Sequence, residues 1–151
     1  MPTIIVKVPP RVFDLAARSR MAQGLTAAAK TAEQGGDDPR HALLTWVLID
    51  EIAPGDVFVA GGDPPERMIP VVVLFHYPQG VLDEASRTDA VRLIHEAVAA
   101  AKPPADPRAV ITSVILTEVA DGTWGASGVL WRLPDFAKAA GFKHLQHLVP
   151  A

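Results

Sequence analysis

Proline is the second residue of the chain, directly after Met1. Removal of Met1 would leave Pro2 with a free secondary amine, a group the chain could own only there. An α-amine titrates at about 7.7–8.0 in model peptides, and a site that desolvates the ammonium or sets cations beside it moves that value toward neutrality. The free amine is then a general base: it lifts a proton from a carbon next to a carbonyl and returns it elsewhere, which is tautomerisation. Kept protonated, the same nitrogen can act as a general acid in adding water to an activated alkyne or haloalkene. Pro70 can do neither, because it lies within the chain and its nitrogen is an amide. It reads as a relic of duplication or a strand-start proline.

Other chemistry is thin. There are no cysteines, so no disulfide framework or thiolate metal site exists, and the five histidines show no ligand-like spacing with carboxylates. No metal and no cofactor are expected. A net charge of −3, from 14 basic and 17 acidic residues, offers no cationic stripe to nucleic acid and no polybasic segment to a membrane surface. The amino terminus lacks the pattern of a signal peptide, and no apolar run approaches the roughly 20 residues that span a bilayer. A soluble cytoplasmic protein is expected. Its 151 residues, 49% of them hydrophobic, fit a single domain with a sizeable core.

The elements that must position Pro2 come from an internal repeat. Residues 42–61 overlay 109–128 at an offset of 67, matching Thr45 with Thr112, Val47 with Val114, Glu51 with Glu118 and Gly55 with Gly122. At 68, Pro2 falls on Pro70; at 69, Val12 and Asp14 fall on Val81 and Asp83. Two units, residues 2–62 and 70–128, follow from this. Each reads strand, helix, strand: short β-branched runs at 3–8 and 71–76, helices opened by Asp14 and Asp83 as N-caps, then apolar runs at 42–52 and 109–119. Right-handed crossovers would make each pair parallel. The expected fold class is α/β (α+β): two tandem β-α-β units forming a four-stranded sheet with two helices on one face. A short terminal helix is expected over 133–142. The other face of so apolar a sheet must be covered, and three chains supply six units around a threefold axis, so a homotrimer is expected.

These residues resemble the tautomerase superfamily, whose β-α-β proteins act through an amino-terminal proline. "PTIIVKV" is similar to the first strand of 4-oxalocrotonate tautomerase, and "LTEVADGTWGASG" to its second strand and glycine-rich hairpin. "EIAPGDVFVAGG" is more like the fused, double-length members nearest the cis-3-chloroacrylic acid dehalogenase group. The resemblance implies that Pro2 is catalytic. It also implies that Trp124, at the position of the hairpin aromatic, walls the substrate pocket. His76 and Tyr77 close the strand where members put substrate-binding groups. Arg11 stands one residue before the position of the family's first carboxylate-binding arginine, which here is Val12.

The departures bear on substrate. The second-strand arginine is replaced by Trp46 and Ser113, and no arginine occupies the stretch "HYPQG" where dehalogenase-like and decarboxylase-like members carry two. A carboxylate thus loses its bidentate anchors. Asp37 and Asp38 resemble in placement the decarboxylase aspartate, or form a turn. The implied activity is a proline-dependent keto-enol tautomerase or related lyase on a small carbonyl compound. The alternative is a catalytically silent trimeric scaffold or small-molecule binding protein of the same fold.

Overall fold

The computed structural model describes residues 2–151, and Met1, on whose removal a free Pro2 amine depends, lies outside the described residues. β1 (Thr3–Val8) alternates strictly, with Ile4, Val6 and Val8 buried and Thr3, Ile5 and Lys7 on the opposite face. Such a period-two pattern of β-branched residues gives a strand with one covered face. α1 (Leu15–Ala32) follows, opened by Asp14, whose carboxylate accepts the Ala17 N–H at 2.7 Å. Caps of this kind are worth about 1 kcal/mol. β2 (Trp46–Glu51) then pairs parallel with β1, with Thr3 opposite Trp46 and Val8 opposite Glu51.

The second unit repeats this plan. β3 (Met68–Pro78) leads to α2 (Glu84–Ala101), whose N-cap Asp83 accepts the Ser86 N–H at 2.8 Å. β4 (Ala109–Val119) pairs parallel with β3. The two units meet where β1 and β3 run antiparallel, Thr3 opposite His76 and Lys7 opposite Val72. The result is a four-stranded mixed sheet in the order β2-β1-β3-β4. α1 and α2 lie side by side on one face. They bury Met21, Leu25, Ile94 and Val98 against Val6, Val71, Val73 and Phe75. Gly24 marks their closest approach, since a Cβ there would sit 3.0 Å from the Ala97 methyl.

The sheet register corrects the placing of Pro70. Thr3 pairs with Trp46, whereas Met68 pairs with Ala109. An offset of 67 between β2 and β4 therefore implies 69 between β1 and β3, and Pro2 corresponds to Val71. Val71 is a core residue, while Pro70 lies out of phase on the other face of β3. A one-residue shift in a strand reverses every side chain, and sequence matching alone does not see that penalty.

Beyond the sheet, β5 (Trp124–Ala126) and β6 (Val129–Trp131) form a small antiparallel hairpin, and α3 (Leu133–Ala140) packs Phe136, Ala137 and Ala140 inward. The terminal helix is two residues shorter than expected because Gly141 takes a left-handed conformation (φ 63°) and ends it. Two 3-10 helices, Pro39–Leu44 and Lys143–Leu148, complete the chain. The first occupies part of what the apolar run 42–52 predicts as strand. Pro39 follows the N-cap Asp38 and the segment turns before β2 begins at Trp46. Among the described residues no helix is long and apolar enough to cross a membrane.

Candidate active site

α1 runs back along the sheet, which brings its C-terminal half over the start of β1. Pro2 is buried there, its carbonyl accepting the Trp46 N–H at 3.0 Å. In phase with Ile4, it faces the helices. Between it, α1, the first 3-10 helix and the segment after α3 lies a cavity of about 510 Å³, whose polar lining includes Thr26, Lys30, Glu33, His41 and Thr45. No arginine lines it.

Two of these side chains are unusual. Glu33, the C-cap of α1, is 3% exposed, and its Oε1 is buried without a hydrogen-bond partner among the described residues. Burial pushes its carboxyl up to about 7. His41 carries a buried Nδ1 that is likewise unpartnered. Its ring lies against the backbone of Gly36, where a Cβ would come within 2.5 Å of ring atoms, and against Gly141. The end of α1 is tied down around them: the Gly36 N–H reaches the Ala140 carbonyl at 3.0 Å, and the Lys143 N–H reaches the Gln34 carbonyl at 2.9 Å.

The other predicted site residues lie elsewhere in the chain. Arg11 is exposed beyond the far end of β1, which puts it about 20 Å from Pro2 at 3.3 Å per strand residue. His76 is opposite Thr3, beside Pro2 along the seam, yet it projects from the open face. Tyr77 faces the helices and is buried against Phe75, ring centroids 5.5 Å apart. Trp124 meets Phe136 edge to face, ring centroids 5.7 Å apart, and Trp131 meets it at a tilt, 5.2 Å away, so both pack the hairpin onto α3. None of Arg11, His76, Tyr77 and Trp124 lines the Pro2 cavity. Asp37 is exposed and paired with Lys143 at 3.0 Å, whose hydrogen bond holds its carboxyl below the usual range. Asp38 caps the 3-10 helix and pairs with Arg40. Among the described residues no group of three His, Asp or Glu side chains is arranged to hold a metal ion.

The second unit differs at the equivalent place. Thr26 and Thr45 line the Pro2 cavity, and their equivalents His95 and Thr112 are bonded to one another at 3.0 Å. That bond spans the groove between helix and strand.

Solved structures share this architecture. The fused 4-OT protein F6, an asymmetric trimer, superposes with a TM-score of 0.67 over 85% of this chain and 94% of that one, at 19% identity. The fold is that of the fused 4-OT proteins. N1, of the cis-3-chloroacrylic acid dehalogenase family, gives 0.66 at 20% identity over 85% of this chain and 82% of its own. Pt0534, solved after inactivation by 2-oxo-3-pentynoate, gives 0.68 at 11% identity over 85% and 95%. No protein-family model matches the sequence, and no curated protein matches it.

Proposed function

We propose that this protein is a proline-dependent keto-enol tautomerase, or a lyase using the same proton transfer, that works on a small carbonyl compound. The observation that carries this is the position of Pro2, buried at the wall of a cavity about 510 Å³ in volume. With Met1 removed, its secondary amine would stand at the wall of that cavity, partly shielded from water. Desolvation disfavours the ammonium and lowers its pKa, so free base is available near neutral pH. Among the described residues the cavity's titratable side chains are Lys30, Glu33 and His41, and Lys30 is shared with Asp37 at 3.7 Å. Without a guanidinium fork, a dicarboxylate has no bidentate anchor, and uncharged or singly charged substrates fit better.

The working unit is a homotrimer. Its support is the open face of the sheet, where Trp46, Leu48, Val72, Ile111 and Ile115 are exposed together. Monomeric proteins seldom leave so continuous an apolar surface in water. Fused 4-OT F6, of the same fold, is a trimer.

Intact mass, and the variant Pro2→Ala assayed for enol ketonisation, test the assignment. The expected result is a chain lacking Met1 whose turnover disappears in Pro2→Ala while the oligomer persists. Retained Met1 would favour a silent scaffold or binding protein instead, and equal turnover by the variant would remove proline from the mechanism.

A further inference from the structure

Proton abstraction by Pro2 does not by itself require Glu33. Among the described residues Glu33 is the one charged-type side chain in the buried core, and it lines the cavity of Pro2. Its Oε1 has no partner there. An unsatisfied buried carboxyl costs stability, and such groups persist where a function uses them. Its place at the C-terminus of α1 adds to this, because the negative end of the helix dipole disfavours a carboxylate. Dipole and burial both keep the proton on. The titratable groups around it are the amino terminus, whose positive charge draws its carboxyl down against the effect of burial, Lys30, on the same helix, and His41, on the 3-10 helix packed against its end.

We propose that Glu33 is the second proton carrier of this site, a carboxylic acid that protonates the carbonyl oxygen of an uncharged enolisable ketone or aldehyde whose α-carbon meets Pro2. The inference rests on Pro2 being the base. In the enolising direction the Pro2 amine takes the α-carbon proton, and the C–H electron pair becomes the C=C bond. The carbonyl π pair moves to oxygen, which takes the Glu33 proton. Pro2 is left as ammonium and Glu33 as carboxylate. Transfer of one proton between them through solvent restores both, so no oxidant or co-reactant is consumed. Ketonisation is the reverse. A carboxylate at the same place would face the Glu33 anion as it forms, with no arginine to offset it.

Two near-isosteres test this: pentane-2,4-dione, uncharged, and acetoacetate, in which a carboxylate replaces one acetyl group. Deuterium uptake at the central carbon above the uncatalysed rate is measured for wild type, Pro2→Ala and Glu33→Gln. Wild type is expected to favour pentane-2,4-dione. Glu33→Gln should lower kcat by about 100-fold, the usual worth of a general acid, leave KM little changed and flatten the limb of the kcat–pH profile near pH 7. Covalent labelling of Pro2 by an uncharged acetylenic ketone should still occur in Glu33→Gln but more slowly than in wild type, because addition of the amine develops charge on the same carbonyl oxygen. Wild-type kcat and pH profile in Glu33→Gln, with Pro2→Ala inactive, would overturn the role of Glu33 and leave that of Pro2 standing. Exchange that survives Pro2→Ala, or is absent from wild type, overturns both. Infrared spectra supply a readout independent of turnover: a protonated-carboxyl band at about pH 6, absent from Glu33→Gln, should shift when pentane-2,4-dione binds. Absence of that band from wild type refutes the inference even if the variant folds poorly.

Discussion

Pro2 and His76 stand at the same end of neighbouring antiparallel strands and on opposite faces of the sheet. Thr3, next to Pro2, pairs with His76 and shares its open face, whereas Pro2 is in phase with buried Ile4. A histidine so placed cannot reach a substrate held under α1 in the same chain. His76→Ala is therefore expected to change Pro2-dependent turnover by no more than about twofold, the usual scatter between sites that share no partner. A much larger loss, measured as kcat/KM, would mean that a neighbouring copy brings its own His76 to the cavity.

Arg11 presents a different case. It is exposed, and it holds a left-handed backbone (φ 63°) that non-glycine residues enter at a cost of about 1–2 kcal/mol. Its N–H donates to the Glu51 carboxylate at 3.3 Å, a bond that glycine keeps. Arg11→Gly should thus leave activity intact and raise stability slightly, by about 1 kcal/mol or less after the extra unfolded-state entropy of glycine is counted. Thermal melting and turnover on the same preparation check both halves. Lost turnover with unchanged melting would mark Arg11 as an anchor acting from a neighbouring subunit.

The sheet was legible because its signals are periodic. Alternation in β1 and β3, aspartates at the helix starts and a repeat of known offset together dictate two β-α-β units on one layer of helices. Pro70 was misplaced because an offset of 68 preserves residue identity while reversing the face, and identity carries no information on phase. Glu33 was missed although a signal existed. It lies four residues after Ala29 on the stripe of α1 that buries Met21, Leu25 and Ala29, so helical spacing alone turns an acid toward the core. His41 had no such signal, because its burial comes from Gly36 and Gly141, two glycines brought together only by the packing of α3 on the end of α1.

The open face makes a sharp claim about assembly. Ile115 is 49% exposed on β4, in the same apolar surface as Trp46, Leu48 and Ile111. Ile115→Lys adds a charge that water tolerates in a monomer and an apolar interface does not, where an unpaired buried charge costs several kcal/mol. Light scattering should find the variant monomeric, with helical circular dichroism retained because the helix-side core is untouched. An unchanged trimer would mean that another surface joins the subunits.

Glu33 makes stability depend on pH in a direction opposite to most carboxylates. Its carboxyl rises from 4.5 to about 7 on folding, through burial. Between those two values the unfolded chain has released the proton and the folded chain still holds it. The folded state therefore binds more protons, and stability falls as pH rises through this window. Below about 4.5 the contribution is fully present; above about 7 it is gone. The shift corresponds to a difference on the order of 3 kcal/mol between the two limits. Glu33→Gln keeps the shape and cannot ionise, so it should flatten the slope and melt above wild type at about pH 8, while the two converge near about pH 4. Denaturant titrations at those two pH values measure the difference directly. Parallel wild-type and Glu33→Gln curves would show that the carboxyl titrates in the folded chain as it does in water, and would remove the buried acid from any account of the site.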